Sequence, residues 1–495
     1  MSDRRDFLSK LAVGGALLGT TAVIASKPAH AAGSASTEGV FDVRDPAYGA
    51  TGDGSTDDTT AIQNAIDAAA VSGGTVLLPT GTYRTTATLN LPRNPSVSIA
   101  GVHPERTVLE YGGAGKALTW DAGAPVVDRF FLQNFSIKCT SPGATHGIHM
   151  NAASSGNALR WFQVNNVVVE GSGSANSVGI LIEDTILGVF QNVVSRDFAV
   201  NWRTRKVNIR PSQLSFVACH AQDPRDVGWD VQVESRSFRF YSCRAEYNRD
   251  TGIPNYGFKF AGMVKTAPMQ DDHILIGCET EDDWAEADFE FTSQRCLKMI
   301  GGGPGTNNVG DGIRLIDVRH SRLEQLAIRE NGGAGSYAVT VDSDCLNNYL
   351  SADIIDSRGW DAIDIDPSVV NSHSLELSFN QTTFTPARLA NGVARPVYER
   401  DAFTTGNVDT RYPGVYLIDT GAGNVTCNLS SMRDYKFGIE FTFIKTTPDA
   451  NKIIINPSST RTINGATTYD VTQQYESVTI TGMTDENWII TAHSP

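Results

Sequence analysis

The 495-residue sequence predicts an all-β solenoid. The expected body is a single-stranded parallel β-helix, closed at its N-terminal end by one amphipathic helix and followed by a small C-terminal β module. Three observations carry this. A short phrase, an apolar residue followed two or three positions later by Asn or Cys, recurs at intervals of about one solenoid coil. A second phrase, Gly followed by alternating apolar residues, falls between its copies. With 46 glycines and only 19% charged residues, the composition suits a turn-rich β protein rather than a helical one.

Bulk chemistry narrows the function classes. A formal net charge of −15 argues against nucleic acid or an anionic membrane as partner, since phosphate binding requires a dense Lys/Arg surface. It leaves a neutral glycan open. Seven cysteines without a Cys-x-x-Cys pair argue against a disulfide scaffold and against a structural zinc site. No metal ligand set is read from the sequence.

Residues 1–31 read as an address. Asp3-Arg4-Arg5-Asp6-Phe7-Leu8 resembles the twin-arginine export motif, an apolar stretch runs from Leu11 to Ala25, and Ala29-His30-Ala31 ends in the small-x-small pattern of a cleavage site. That stretch is shorter than the roughly 20 residues a membrane span requires. The expectation is a secreted protein exported by the twin-arginine route, with residues 32–39 as a linker.

The solenoid is expected over residues 40–385. Apolar positions 62, 65, 66 and 69 fit one helical face, with Thr56 or Asp57 as N-cap and Gly73-Gly74 as the stop. Thr75 to Pro79 then reads as a strand and Thr80 to Tyr83 as a turn. Asp53, Asp57 and Asp58 lack the ladder spacing of a calcium loop and are read as capping and turn residues.

The stretch Gly49 to Tyr83 closely resembles the N-terminal signature of the pectate-lyase-like superfamily, GAxGDGxTDDTxAIQxAIDxA followed by GGxVxLPxGxY. That superfamily includes polygalacturonases, rhamnogalacturonan-cleaving enzymes, exo-glucanases and phage tailspike depolymerases. The resemblance implies a right-handed β-helix whose open first coil is covered by the helix, and a polysaccharide as substrate. Physics agrees, because an uncovered solenoid end exposes strand edges and apolar core.

The first phrase ends at Asn134, Asn166, Asn192, Cys219, Cys243 and Cys278, at steps of 32, 26, 27, 24 and 35 residues. Aligned on these positions, the asparagines and cysteines are expected to share one stacked column. The second phrase, beginning at Gly147, Gly179, Gly228, Gly257, Asp311 and Asp361, marks the other sheet of each coil.

Reading onward from the cysteines gives the candidate site. Gln222, Glu246 and Glu281 fall in one outward column, and His220, Arg244 and Glu279 in the next. Outward acids on adjacent coils, if uncompensated, raise one another's pKa, as two-carboxylate glycoside hydrolysis requires. The candidate catalytic residues are Glu246, Glu281, Asp282 and Asp283. The candidate substrate-binding residues are His220, Asp223, Arg244, Tyr247 and Trp284, the last as a stacking platform for a sugar ring. The bland alternative is a solvated loop in which Arg244 pairs with Glu279 across coils. Gln270-Asp271-Asp272-His273 partly echoes a polygalacturonase motif. Trp202, Trp229 and Trp360 are open between core and surface, and His146, His149 and His273 read as structural.

Hydrolysis by paired carboxylates is favoured, with no cofactor. The competing chemistry is β-elimination on a uronate glycan, for which Arg244, His220 and Tyr247 could supply cation and base, with calcium as a bridging ion. A third expectation is a non-catalytic glycan-binding or tailspike-like protein. From Arg395 to Pro495 the repeat is lost, and short alternating strands suggest a β-sandwich-like module. That stretch is similar to a C-terminal module of phage tail fibres and tailspikes, which implies a homotrimer or glycan binding. The sugar, the linkage and endo or exo action are not encoded legibly.

Overall fold

The computed structural model describes residues 39–495 except 93–95, 121–126, 152–157, 233, 249–251, 263–271, 306–308, 330–335, 356–362, 367–372, 380–386, 391–392, 396, 399–405, 411–413, 430–439, 458–460 and 485–486. The export segment, Gln270, Asp271 and Trp360 lie outside these residues.

Among the described residues one helix, Thr59–Ser72, buries Ile62, Ala65, Ile66 and Ala69 against the first coil and stops at Gly73, whose φ is 78°. It starts later than expected. Asp58 is the N-cap residue, and its carboxylate turns away from the helix to accept from the Thr51 and Gly52 backbone N–H groups at 2.7 and 3.0 Å. Asp57 accepts from the Thr59 N–H at 3.1 Å, and Asp53 from Ser55 and Thr56, both at 2.8 Å. All three acids therefore serve turn and entry geometry.

Each coil then runs through a first strand, a single corner residue, a second strand, and a crossing to the opposite sheet. All these ladders are parallel, from Val40 pairing Thr75 to Tyr349 pairing Ser374. The opposite sheet has 11 strands, from Leu89–Leu91 to Ile363–Ile365. Its register sets Gly147 beside Gly179 and Gly228 beside Gly257, as the second phrase predicts. Glycine is required there by proximity: a Cβ on Gly179 would stand 1.9 Å from Ser195 Oγ, and one on Gly147 would stand 2.2 Å from a Val169 methyl.

The first phrase needs a one-residue correction. The pairings Gln191–Val217, Tyr241–Ile276 and Val194–His220 align Asn134, Asn166 and Asn192 with Ala218, Ser242 and Gly277. The cysteines stand one position later, in line with Val193. The asparagine column is the corner itself, with φ of 61°, 53° and 51°, and continues through Ala218, Ser242 and Gly277 at 51°, 50° and 62°. Asn tolerates this left-handed conformation better than most residues. Its amide also joins successive coils, Asn166 Nδ2 donating to Asn134 Oδ1 at 2.9 Å. Cys219, Cys243 and Cys278 point inward, at most 1% exposed, and burial pushes the Cys243 and Cys278 thiols well up.

The core is a pair of aromatic stacks. Phe190, Phe216 and Phe240 are stacked with centroids 5.1 and 4.7 Å apart and nearly parallel planes. Trp202, Trp229, Phe258 and Phe289 follow at 4.6, 5.7 and 4.9 Å. Each ring meets its neighbour one coil away, so stacking runs along the solenoid axis.

The last strand of the coil ladder is Ser374–Phe379, followed by antiparallel Ala387–Ala390 and Val393–Arg395. The C-terminal residues form two sheets, in keeping with two-sheet packing but with an unexpected topology. Gly406–Thr410, Val425–Leu429 and Ile453–Pro457 pair in parallel, as do Gly414–Ile418 and Glu440–Lys445. Only the final strands, Tyr469–Val471, Ser477–Thr484 and Asn487–Ser494, add antiparallel pairs. No helix among the described residues is long and apolar enough to cross a membrane.

Candidate functional site

Two short strands, His220–Gln222 and Arg244–Glu246, and the longer Ile274–Glu281 set the predicted columns in register. His220 pairs Arg244 and Arg244 pairs Glu279; Gln222 pairs Glu246 and Glu246 pairs Glu281. Residues 24 and 35 positions apart in the chain thereby become vertical neighbours, separated by the strand spacing of about 4.8 Å.

Arg244 sits at the centre. Its Nη2 lies 2.6 Å from Glu279 Oε1 and 3.1 Å from Glu281 Oε1, and its Nη1 lies 3.9 Å from Glu246 Oε2. The acids are therefore not uncompensated, and the expected Arg244–Glu279 pairing across coils is present. Glu246 is the most enclosed of them, with a side chain 15% exposed. It accepts from the Asn248 amide, and His220 Nε2 lies 3.0 Å from its Oε2 without hydrogen-bond alignment. Burial lowers the His220 pKa, against the opposing pull of Glu246, so the neutral imidazole is favoured.

Asp282 follows at the next corner, with φ 68°. Burial raises its pKa, and the negative charges of Glu246, Asp283 and Asp223 raise it further against a hydrogen bond from the Tyr247 backbone N–H. Asp223, at φ 49°, accepts from the Asn248 N–H at 2.8 Å and so ties two coils together. Beside this strip lies a groove of about 410 Å³ lined by Glu279 to Asp282, Gly302, Gly303, Pro304, Gly305, Ala327 and Arg329. Its floor has almost no side chains, so a ligand can approach backbone closely.

Several expected roles are corrected. Trp284 is fully buried, its indole N–H donating to the Glu281 carbonyl at 3.2 Å, so it is no sugar platform. Tyr247 is 6% exposed and its ring belongs to the core. Trp202 and Trp229 are core residues too. Of the polygalacturonase-like echo, Asp272 holds Arg239 at 3.3 Å, and His273 is buried, its pKa pushed down to about 3 by desolvation. Both are structural. Among the described residues no group of three or more His, Cys, Asp or Glu is arranged to hold a metal.

The sequence reading missed a second groove, of about 710 Å³, on the outer face of the 11-stranded sheet. Register stacks His149, Leu181, Arg203, Asp230, Lys259, Glu290 and Arg314 there. Three carboxylates of this face lie deep, the side chains of Asp230, Glu183 and Glu290 being 9%, 6% and 8% exposed, whereas Glu234 at the groove is 23% exposed and Arg203, Arg205, Lys206 and Lys259 are 26% to 48% exposed. Arg203 and Arg205 grip Asp230 and Glu183 through Nε, leaving their terminal Nη nitrogens without partners among the described residues. Burial works against the Glu183 carboxylate, but His149, 2.6 Å away, and Arg205 outweigh it and hold its pKa below the usual range. The signal was present in the second phrase, whose charged position, two residues after the Gly228, Gly257 or Gly312 glycine, holds Asp230, Lys259 and Arg314.

The architecture is a right-handed parallel β-helix. Within it, residues 40–248 match the family model described as rhamnogalacturonase A/epimerase, pectate lyase-like. A 51-residue stretch is 59% identical to the mannuronan C5-epimerase AlgE3 of Azotobacter vinelandii, covering 10% of this chain and 3% of that protein's length. Among solved structures, the gp42 tailspike of Acinetobacter phage vb_AbaP_AS12 superposes with a TM-score of 0.53 at 11% identity, over 92% of this chain and 82% of that one. The A-module of the Azotobacter vinelandii mannuronan C-5 epimerase AlgE4 gives a TM-score of 0.36 at 15% identity, over 85% of this chain and 90% of that one. At 11% identity the likeness to the tailspike concerns the fold alone.

Proposed function

We propose that this protein is a polysaccharide-acting enzyme that hydrolyses glycosidic bonds in the groove beside Arg244. The observation that carries the reading is a pair of neighbouring carboxyl groups in unlike surroundings. Asp282 is driven toward its protonated form, while Glu246 lies among the side chains of Asn248, His220 and Arg244. A carboxyl whose proton is held makes Asp282 the acid of the pair and leaves Glu246 as its partner. Asp282 protonates the leaving glycosidic oxygen, and Glu246 acts on the other face of the sugar as nucleophile or as base for water. Glu279 and Glu281 hold Arg244 in place, and His220 and Asp223 flank the bound glycan. The strip is rich in acids, which favours an uncharged sugar at the point of cleavage. This route draws on no cofactor. Twin-arginine export and a homotrimer formed through the C-terminal module complete the proposal, and both rest on sequence resemblance.

The test is release of reducing ends from a panel of neutral and acidic polysaccharides. Wild type is expected to release them from at least one neutral polymer, and Glu246→Gln and Asp282→Asn to lose that activity while remaining folded. Wild-type rates in both variants would overturn the site.

A second reading has its own observation. The Nη nitrogens of Arg203 and Arg205 above the second groove are suited to bind a carboxylate bidentately. A uronate held there would have its carboxylate charge neutralised, which acidifies the neighbouring C–H as elimination or epimerisation requires, with calcium as a further candidate bridge. Unsaturated uronate products, or altered uronate stereochemistry without new ends, would favour this reading. Loss of either product in Arg203→Ala with Glu246→Gln unaffected would place the chemistry in the second groove.

A further inference from the structure

Three indole N–H groups reach from the interior to the backbone carbonyls of the proposed hydrolytic strip. Trp202 Nε1 donates to the His220 carbonyl at 3.1 Å, Trp229 Nε1 to the Arg244 carbonyl at 3.0 Å, and Trp284 Nε1 to the Glu281 carbonyl at 3.2 Å. All three side chains are at most 1% exposed. Trp202 and Trp229 belong to one inward column of the 11-stranded sheet, which runs Leu118, Ile148, Ile180, Trp202, Trp229, Phe258, Phe289, Ile313, Val339 and Ile363. Every other position in it is filled by a side chain without a polar atom. Each tryptophan stands on the coil before its acceptor: Trp202 follows Val194–Arg196 and bonds to the coil of His220, and Trp229 follows His220–Gln222 and bonds to the coil of Arg244.

Packing alone does not call for this placement. Phe258 and Phe289 continue the same stack at similar spacing with no N–H. An indole put into an apolar core must also find an acceptor for its N–H or lose the hydration of that group. The acceptors used are main-chain carbonyls of the two shortest strands in the strip. His220–Gln222 and Arg244–Glu246 have three residues each, and left-handed corners at Ala218 and Ser242 lie two positions before them. So short a strand has few ladder bonds to fix its twist, and an additional bond from behind restrains the peptide from which the His220 or Arg244 side chain projects.

We infer that Trp202 and Trp229 are positioning residues for the acid strip: their indole N–H groups fix the main chain that aims His220 and Arg244, and through Arg244 the Glu246–Glu281 pair. The inference rests on the hydrolytic reading of that strip. Geometry held from a rigid interior preserves catalysis in a way that surface ion pairs do not.

The experiment uses the full chain and Trp229→Phe, which keeps an aromatic ring in the stack and deletes the N–H, with Phe135→Leu as a core control away from the strip. Hydrogen–deuterium exchange followed by mass spectrometry is expected to show roughly ten-fold faster exchange in a peptide spanning residues 243–248 of Trp229→Phe. A peptide spanning residues 163–170 should be unchanged. On a cleaved polysaccharide, kcat is expected to fall roughly three- to ten-fold at nearly constant KM, the scale of one hydrogen bond, with a shift of the alkaline limb of the pH profile. Phe135→Leu should lower the melting temperature and leave kcat within two-fold. Unchanged exchange at 243–248 overturns the inference, as does a loss of kcat that Phe135→Leu reproduces at equal destabilisation. A wild type that cleaves nothing would refute the hydrolytic reading, while the exchange measurement would still decide whether the indoles brace these strands.

Discussion

Replacing Asp282 by Asn separates catalysis from stability, because the two effects have opposite signs. The folded protein holds the Asp282 pKa above the ordinary Asp value of 3.8, first by partial desolvation and then through the charge of Glu246. A group whose folded pKa is raised contributes most favourably below its unfolded pKa and loses that contribution as pH rises through the folded value. At neutral pH the Asp282 carboxylate therefore destabilises the fold. Asn is nearly isosteric and never ionises, so Asp282→Asn is expected to be the more stable protein at pH 7, and the advantage should shrink toward pH 4. Asp282 is an exposed residue, so solvent screening keeps the gain small, about 0.2–1 kcal/mol. Catalysis should fall by about 10²–10⁴-fold, the usual contribution of a positioned general acid. The alkaline limb of the wild-type pH profile, which reports loss of the Asp282 proton, should disappear with it. The assay is reducing-end release across pH, with thermal melts of both proteins in the same buffers. Retained activity, or a variant less stable at pH 7 than wild type, would refute the assignment of Asp282.

Other consequences follow from the fold. Asn166→Ala should cost about 2 kcal/mol, from the amide bond to Asn134 and the strain of Ala at φ 53°; Asn166→Gly relieves the strain and should recover about half, as denaturant midpoints would show. Gly179→Ala drives a methyl to 1.9 Å from Ser195 Oγ and should cost roughly 1–3 kcal/mol in the same measurement. In the native protein, alkylation followed by peptide mapping should label the half-buried Cys296 before Cys219, Cys243 and Cys278, because burial denies access to all three and also pushes up the Cys243 and Cys278 thiols.

The fold was legible in the sequence because a parallel solenoid writes its geometry as a repeat. The steps between Cys219, Cys243 and Cys278 sufficed to predict that Glu246 and Glu281 face each other, and they do. The corner was misplaced by one residue because both Asn and Cys occupy the end of the same phrase. Asn, Ala, Ser and Gly all occupy the left-handed corners of successive coils, so residue type does not reveal where the chain bends. Exposure was the least legible property. Trp284 follows a run of acids and reads as a surface platform, yet its loop folds inward to satisfy the indole on Glu281. The second groove was hidden because Asp230 and Lys259 read singly as solvated charges, and only coil stacking turns them into a ladder. In the C-terminal module, alternation marks strands but carries no information about their direction, so the parallel pairing of Val425–Leu429 with Ile453–Pro457 went unread.

The central claim is that a glycan lies along the strip from Gln222 through Glu246 to Glu281. The most direct measurement is a crystal structure of Glu246→Gln soaked with oligosaccharides from whichever polymer of the panel wild type degrades. The account predicts a chain of sugar density over Arg244 and the glycine floor at Gly302 and Gly303, with a glycosidic oxygen within hydrogen-bonding distance of Asp282. Sugar ordered instead above Arg203 and Arg205, with the strip empty, would contradict it.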